Sequence, residues 1–402
     1  MEILLDPGDA TFAADRYGAY RTIRATRPVA RTLVNGVESW LLTRHVDVER
    51  VLKDPGCRVQ PTVDGIPVHI GTGPAAEFYR HSLPCMDPPL HTRLRRLVTP
   101  AFAPRAVAAM REWLTELIEA GLRRLADSRG EIDFVAEFAT VVPAQIACRL
   151  VHAPPEDAQL LLSHQLALNP VLSQGELSAA ELSAADQAAR FYFDYLGDVV
   201  DTLRGKVSAQ DPVGALLAAP ADELSRTEIV TTMIGFLIAS YHTTMVSMTN
   251  AVHALLGDER QWAALAADPG LAGGAWEETL RHDAPVHFVW RYAGRDMEFS
   301  DGTEVAAGSH LLVGLAAANR DERRFERPEV FDIRRADGRG HLSFAAGGHF
   351  CLGAPLARLE GELLLERLPA LLPGLRRSGD TETRYADLTF PFLTTLPVLV
   401  AG

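Results

Sequence analysis

Cys351 is the residue whose neighbours most clearly indicate chemistry. Glycines and a histidine flank it, and an apolar, helix-favouring segment follows: Gly347, Gly348, His349, Gly353 and residues 354–365. Glycines let the backbone turn tightly and approach a flat partner where a Cβ would clash. The N–H groups at a helix start favour a thiolate, so we predict a lowered pKa for the Cys351 thiol. A small buried structural cysteine would explain neither the glycines nor His349. The pattern therefore predicts a supported thiolate at Cys351 that faces a flat partner.

The run around Cys351 closely resembles the haem-binding signature of the cytochrome P-450 family: Phe, Gly, any, Gly, any, His or Arg, any, Cys, any, Gly. Residues Phe344 to Gly353 fill these positions, with Ala345 where the family usually has Gly. Ala replaces Gly readily only where φ is negative, so we expect a negative φ at Ala345. The resemblance implies that Cys351 is the axial ligand, and the metal ligand, of haem b. It also implies that Phe344 and Gly353 contact the haem.

A second group of residues is basic and matches the family positions that bind the haem propionates. The segment from Asp87 to Arg96 resembles one such motif, and its His91 and Arg95 share a face at helical i, i+4 spacing. A planar guanidinium matches a carboxylate in two hydrogen bonds. The resemblance adds Arg291 and His349 as further propionate partners. A solvated basic helix face is the alternative for the neighbouring arginines.

Glu278 and Arg281 resemble the family's Glu-x-x-Arg pair, which is structural and not catalytic. At i, i+3 spacing such a pair is usually an exposed ion pair of small worth. Its position upstream of the meander-like segment 319–332 favours the structural role.

The segment 235–244 aligns with the family's oxygen-activation motif: Ala, Gly, any, Asp or Glu, Thr, Thr or Ser. Ala239, Thr243 and Thr244 match, whereas Ser240 stands for Gly and His242 for the acid. The resemblance places Ala239 against the haem and implies a catalytic hydroxyl on Thr243. An imidazole has a reference pKa of about 6.5, so His242 could relay protons, contact the substrate or simply pack. We predict a catalytic role for His242 together with Thr243.

The segments that line the family's substrate pocket are 61–84, 166–177, 234–243, 286–289 and 389–394. Their side chains are mainly apolar or aromatic, as expected for a medium-sized organic ligand. The residues that we predict to line the pocket are Ile238, Val286, Phe288, Val289 and Phe392. Aromatic residues at such places are also common in an ordinary core.

The composition of the chain limits the classes of protein to which it can belong. The chain has 402 residues, 47% hydrophobic content, a formal net charge of -13 and four cysteines without paired spacing. The acidic balance argues against nucleic acid or an anionic membrane as partner, and the cysteine spacing argues against disulfides or zinc. The N-terminus has no basic region before an apolar stretch, and the apolar segment 233–248 falls short of the ~20 residues of a membrane span. We expect one soluble, cytoplasmic domain over residues 1–402.

Periodicity predicts a mainly α fold with small β-sheets. Hairpins are predicted around Asn35-Gly36 and Asp301-Gly302, which are turn signals. Helical periodicity covers residues 105–127, 134–151, 179–207, 225–256 and 272–282. The resemblance implies the cytochrome P-450 fold, with haem between the cysteine loop and a long central helix.

The resemblance implies a haem-thiolate oxidoreductase of the monooxygenase type that activates O₂ to oxidise a medium-sized organic substrate in bacterial secondary metabolism. No Gly-x-Gly-x-x-Gly motif follows a strand, so we expect electrons from an external ferredoxin and ferredoxin reductase. Docking of that partner is predicted near Arg93, Arg96 and Arg358. Three alternatives stay open: oxidative coupling or cyclisation without oxygen insertion, peroxide-driven oxidation, and a haem-binding sensor.

Overall fold

Helices dominate the structure and form most of its core. The computed structural model describes residues 3–6, 9–34, 36–61, 70–172, 177–220, 222–379, 384–385 and 387–400. The α-helices within these ranges are α1 Ala10–Ala14, α2 Arg16–Thr26, α3 His45–Lys53, α4 Pro74–His81, α5 Leu90–Val98, α6 Pro104–Ala108, α7 Arg111–Ser128, α8 Val141–Leu150, α9 Ala158–Leu168, α10 Ala179–Leu203, α11 Pro212–Leu217, α12 Arg226–Gly257, α13 Glu259–Ala267, α14 Ala272–His282, α15 Leu315–Ala318 and α16 Ala354–Leu371.

The strands are short. They are β1 Ile3–Leu4, β2 Val29–Val34, β3 Val37–Leu42, β4 Cys57–Arg58, β5 Gly130–Asp133, β6 Phe288–Ala293, β7 Met297–Glu298, β8 Glu304–Val305, β9 His310–Gly314, β10 Arg376–Arg377, β11 Arg384–Tyr385, β12 Phe392–Leu393 and β13 Pro397–Val400. The predicted class, mainly α with small sheets, is confirmed.

The largest sheet has the strand order β1-β2-β3-β9-β6-β4. Both predicted hairpins are present: Val34 pairs with Val37 across the first turn, and Glu298 pairs with Glu304 across the second. Gly36 and Gly302 have φ values of 79° and 84°, a region that glycine adopts without strain. Asn35 lies outside the described residues. Strand β6 carries part of the predicted pocket into the interior.

Two predicted helices are interrupted. Residues 105–127 form α6 and α7, because the Met110 N–H donates to Val107 O and tightens the chain between them. Residues 134–151 open with a π-helical turn at Val135–Ala139 before α8. There the Thr140 N–H donates to Val135 O, five residues back, and its hydroxyl donates to the same carbonyl. Such local hydrogen bonds leave the hydrophobic periodicity unchanged, so the sequence pattern does not reveal them.

Helix α12 is the predicted long central helix. A capping box between Ser225 and Glu228 fixes its start. Its length and composition would allow it to cross a membrane, but 56% of its most apolar window is buried inside the protein. It packs against α8, α10, α14 and α16, so it serves as the central core helix.

Candidate active site

The cysteine loop precedes α16, as the sequence predicts. The Cys351 N–H donates to Phe344 O at 2.8 Å and closes the loop. Gly347 has a φ of 69°, and a Cβ there would lie 2.3 Å from Leu52 O on α3. A Cβ on Gly348 would meet nothing within 4 Å. Gly347 is therefore the glycine that allows the loop to pack against α3.

Ala345 corrects one sequence expectation. Its φ is 55°, which is the left-handed region and not the negative φ that we expected. The Ala345 N–H donates to Leu342 O at 2.8 Å, so the chain reverses sharply here. A left-handed alanine costs about 1–2 kcal/mol relative to the right-handed conformation. The loop keeps the glycine-like geometry although Gly is absent.

The Cys351 thiol also differs from its prediction. Its accessible surface faces an interior cavity, and this enclosure raises its pKa above the ordinary value, because burial disfavours the charged form. The N–H groups of Gly353 and Ala354 and the guanidinium of Arg95 lower the pKa, but they do not outweigh burial. The predicted lowering is therefore wrong for the protein alone. A cation bound at the sulfur would favour the thiolate.

One cavity of about 440 Å³ joins most of the predicted site. The predicted residues on its wall are His91, Arg95, Ile238, Ala239, Thr243, Val286, Val289, Arg291, Phe344, His349, Cys351 and Gly353. Cys351 comes from the loop before α16, whereas Ala239 and Thr243 come from α12. The cavity therefore lies between the cysteine loop and the central helix.

The four predicted basic residues converge on this cavity. The rings of His91 and His349 lie 4.1 Å apart, and Arg95 Nη2 donates to Phe350 O at 2.5 Å. Burial, helped by the neighbouring guanidinium groups, lowers the pKa of His91 to about 4 and that of His349 to about 2. Burial also lowers the pKa of Arg291 to about 10. Arg95 and Arg291 carry the positive charge here, because the lowered pKa values leave both histidines neutral at neutral pH, and Asp87 acts in the opposite direction to burial on His91 and Arg291. The arrangement favours an anionic ligand.

Helix α12 presents two threonines with different partners. The Thr243 hydroxyl donates to Ala239 O at 2.8 Å, one turn back in the helix. The Thr244 hydroxyl instead donates to Glu360 Oε2 on α16 at 3.1 Å. Both residues line the cavity. A hydroxyl of α12, the helix that faces Cys351, thus lies close to a carboxyl of α16.

Glu360 is a site residue for which the sequence reasoning gave no role. It is 1% exposed, and its Oε1 has no hydrogen-bond partner among the described residues. Burial raises the pKa of Glu360 to about 8, so the carboxyl is mostly protonated at neutral pH. A signal was available, because Glu360 shares the i, i+4, i+7 spacing of Leu356 and Leu363 on the apolar face of the helix.

His242 is placed differently from Thr243. It is absent from the cavity wall and instead meets Phe390 and Phe392 edge-on, with ring centroids 5.7 Å and 5.0 Å away. Burial lowers the pKa of His242 to about 4, against the opposing effect of Asp387. The structure therefore does not bring this predicted catalytic residue to the cavity.

Two predicted pocket residues also lie elsewhere. Phe288 is buried on the far side of its strand, edge-on to Tyr20 at 5.6 Å, because neighbouring strand residues alternate between faces. Phe392 packs against His242 instead of lining the cavity. Ile238, Val286 and Val289 do line it. Parts of two predicted pocket segments, 62–69 and 173–176, lie outside the described residues.

Glu278 and Arg281 form a buried ion pair and not an exposed one. Arg281 Nε donates to Glu278 Oε2 at 2.7 Å and Nη2 donates to Oε1 at 2.8 Å, and both side chains are at most 1% exposed. Arg281 also donates to the carbonyls of Asn319 and Pro328. The pair thus ties α14 to the meander-like segment.

The three arginines predicted to dock a redox partner each have a carboxylate partner within the chain. Arg93 pairs with Glu228, Arg96 Nη2 lies 2.9 Å from Glu223 Oε2, and Arg358 Nε donates to Glu277 Oε1 at 2.6 Å. The Arg96 side chain is 67% exposed, whereas those of Arg93 and Arg358 are 33% and 37% exposed. Arg96 is the most accessible of the three.

Comparisons with known proteins indicate the same family as the motif around Cys351. A family model described as "Cytochrome P450" matches residues 274–368. Cytochrome P450 107B1 of Saccharopolyspora erythraea is 36% identical over 93% of this chain and 92% of its own length. The 6-deoxyerythronolide B hydroxylase of the same organism is 31% identical over 95% of each chain. The solved structure of CalO2 superposes with a TM-score of 0.89 at 29% identity and covers 99% of both chains.

These relatives span nearly the whole chain, and the matched family model includes the cysteine loop. Members of this family bind haem b through a cysteine thiolate and oxidise organic substrates with O₂. The chain belongs to the cytochrome P450 family and is a haem-containing oxidoreductase of the monooxygenase type.

Proposed function

We propose that this protein is a cytoplasmic monooxygenase of bacterial secondary metabolism, with Cys351 as its haem ligand and an external ferredoxin as its electron donor. The observation that carries the proposal is that Cys351 lines one cavity together with Ala239 and Thr243 of α12. Relatives named 20-oxo-5-O-mycaminosyltylactone 23-monooxygenase and Cytochrome P450 monooxygenase PikC support the metabolic assignment. We also propose that residues 1–402 form one domain, because strands β6 and β9 each supply side chains to two separate clusters of buried apolar residues.

The residues of the cavity fit haem b. His91 Nε2 is buried without a hydrogen-bond partner among the described residues, as expected for a group whose partner is a cofactor carboxylate. Arg95, Arg291 and His349 add the donors that two propionates require. Cys351 would hold the iron; Phe344 and Gly353 lie on the wall that the cysteine loop forms, and Ala239 lies on the wall that α12 forms. Bound haem b supplies the iron at which O₂ is reduced and the substrate oxidised.

The chain's own groups then handle protons. The Thr243 hydroxyl lies on the cavity wall and can offer a hydrogen bond to a ligand once it releases the Ala239 carbonyl. Glu360 holds a proton at neutral pH and is joined to α12 by the Thr244 hydroxyl. A buried carboxyl whose pKa lies near the working pH is suited to proton transfer. We propose Thr243 and Glu360 as the groups that serve this purpose.

The cavity wall favours a medium-sized, mainly apolar substrate. Phe102, Phe236, Leu172, Val286 and Val289 supply much of the wall. Scattered hydroxyls, including those of Ser82 and Ser240, can orient a polar group of the ligand.

A matched pair of arginines on α5 tests the haem site. Removing a charge-assisted contact costs roughly 1.5–3 kcal/mol, so Arg95→Ala should speed haem loss by about 10-fold or more. Arg96→Ala is the control, because Arg96 lies one residue away but pairs with Glu223 on the surface. Haem transfer to excess apomyoglobin measures the rate. Equal rates for both variants would contradict the assignment of Arg95.

Turnover tests the activity itself. Wild-type protein with NADPH, a surrogate ferredoxin and its reductase should consume NADPH. Its products should exceed the mass of the substrate by one oxygen atom. Products that have lost hydrogen without gaining oxygen would indicate coupling or cyclisation. Turnover with hydrogen peroxide alone would indicate a peroxide-driven enzyme, and haem binding without any turnover would indicate a sensor. Arg96→Glu should lower the rate at low salt if this surface steers an acidic ferredoxin.

A further inference from the structure

His242 occupies an unusual position for a residue next to Thr243. Ala239, Ser240 and Thr243 of the same turn line the cavity, whereas His242 and Tyr241 do not. Its ring meets those of Phe390 and Phe392 at 86° and 89°. Edge-to-face contacts at these distances are favourable for aromatic rings. The imidazole is therefore held by two rings of the segment that precedes and begins β12.

Hydrogen bonds also restrain that segment, residues 387–393. Asp387 Oδ1 accepts hydrogen bonds from the N–H groups of Thr389 and Phe390 at 2.8 Å and 2.6 Å. Arg16 Nη1 donates to the Asp387 carbonyl at 2.5 Å. Local hydrogen bonds and one bond from Arg16 thus restrain the backbone near Phe390, and His242 provides an aromatic contact between this segment and α12.

The segment continues to the cavity wall through one backbone hydrogen bond. The His287 N–H donates to Thr389 O at 2.8 Å. His287 lies between Val286 and Val289, which both line the cavity. A continuous set of contacts therefore runs from α12 through His242, the two phenylalanines and Thr389 to this part of the wall.

The electrostatic surroundings agree with a packing role. Burial keeps the His242 imidazole neutral, and Asp387 is the charged group that opposes this effect. The two aromatic rings that it contacts are phenyl rings, which neither accept nor donate a transferable proton.

We infer that His242 is a positioning residue, which joins α12 to residues 387–393 and so holds the Val286 and Val289 wall of the substrate cavity, and that it is not a proton relay. The inference rests on the proposed haem-thiolate function, because the cavity concerned is the one that Cys351 faces. It differs from the sequence prediction, which gave His242 a catalytic role beside Thr243.

Substitution by phenylalanine separates positioning from relay, because phenylalanine keeps an aromatic ring and cannot carry a proton. The holoenzymes to compare are wild type, His242→Ala, His242→Phe and the matched control His164→Ala. His164 also stacks on a phenylalanine, Phe191 at 3.7 Å, but on α9 and outside the cavity wall. The probes are 4-phenylimidazole, which needs an intact apolar wall, and imidazole, which needs only access to the iron.

The first measurement is ligand affinity from the Soret shift. His242→Ala should weaken 4-phenylimidazole binding by about fivefold or more, the equivalent of losing one aromatic contact, while imidazole affinity stays within about twofold. His242→Phe should restore 4-phenylimidazole binding to within about twofold of wild type. The control should match wild type. If His242→Ala binds both probes like wild type, the positioning role is wrong.

The second measurement is the hydrogen peroxide released per NADPH consumed with a surrogate ferredoxin and its reductase. Positioning predicts that His242→Phe gives the wild-type ratio, whereas a relay predicts that His242→Phe and His242→Ala both release more peroxide. The second result would overturn the inference. If His242→Ala does not fold, Phe392→Leu takes its place and should show the same selective loss of 4-phenylimidazole affinity. Loss of the thiolate spectrum in wild type would contradict the proposed function instead.

Discussion

Glu360 supplies the sharpest test of the site's electrostatics. Its carboxyl is buried, and its pKa rises from 4.5 to about 8 on folding. Between these values the unfolded chain releases a proton that the folded chain retains, so rising pH favours the unfolded state. Stability from the neutral carboxyl is therefore fully present below about pH 4.5 and is lost as pH rises towards about pH 8. Glu360→Gln keeps the shape of the side chain and cannot ionise.

The magnitude follows from linkage. At about 1.4 kcal/mol per pH unit, the interval from about pH 5.5 to about pH 8 corresponds to about 3 kcal/mol. An unfolding entropy of about 2.1 cal/mol/K per residue, applied to 402 residues, converts this to a change in Tm of about 4 °C. The Tm of Glu360→Gln minus that of wild type should therefore increase by about 4 °C over this interval.

Thermal unfolding of the holoenzymes, followed by far-UV circular dichroism, measures the difference. Glu362→Gln is the matched control on the same helix, because Glu362 is 42% exposed and pairs with Arg111 at the surface. Its Tm difference from wild type should stay nearly constant with pH. A constant difference for Glu360→Gln as well would show that Glu360 titrates like an exposed carboxyl and would refute the reasoning.

Two further predictions follow from the packing of the site. Gly347→Ala should cost roughly 2–3 kcal/mol and lower haem content, because its Cβ would lie 2.3 Å from Leu52 O at positive φ, whereas Gly348→Ala should be nearly neutral. Purified haem-to-protein ratio and Tm check both variants, and equal losses would contradict the argument. Arg281→Ala should cost about 3–5 kcal/mol, because it removes buried hydrogen bonds to Glu278 and to the carbonyls of Asn319 and Pro328, although Arg335 still pairs with Glu278. Arg260→Ala, at a side chain that is 90% exposed, should cost about 0–1 kcal/mol. Similar urea midpoints for these two variants would show that the buried pair does not stabilise the fold.

Features that depend on nearby residues could be predicted from the sequence. The turn at Asn35-Gly36 and the start of α12 before Glu228 follow from local turn and helix chemistry. The i, i+4 spacing of His91 and Arg95 places both on one helix face, and both line the cavity. Each of these predictions required only the geometry of one element.

Features that depend on packing between distant segments could not be predicted in the same way. The orientation of His242 follows from the position of Phe390 and Phe392, nearly 150 residues later, and the pattern of α12 alone does not contain it. The pKa of Cys351 depends on how fully the fold encloses the thiol, which the helix-start argument does not measure. The left-handed φ of Ala345 is likewise set by the turn of the loop against its surroundings.

The central claim is that Cys351 supplies the thiolate that binds the haem iron. The most direct measurement is the absorption spectrum of the reduced protein under carbon monoxide, for wild type and Cys351→Ser. We predict a red-shifted thiolate-type Soret band for wild type and its complete loss in Cys351→Ser, even where that variant retains haem. Cys57→Ser, at a half-buried cysteine outside the cavity wall, should keep the band. A thiolate-type band that survives in Cys351→Ser would contradict the account.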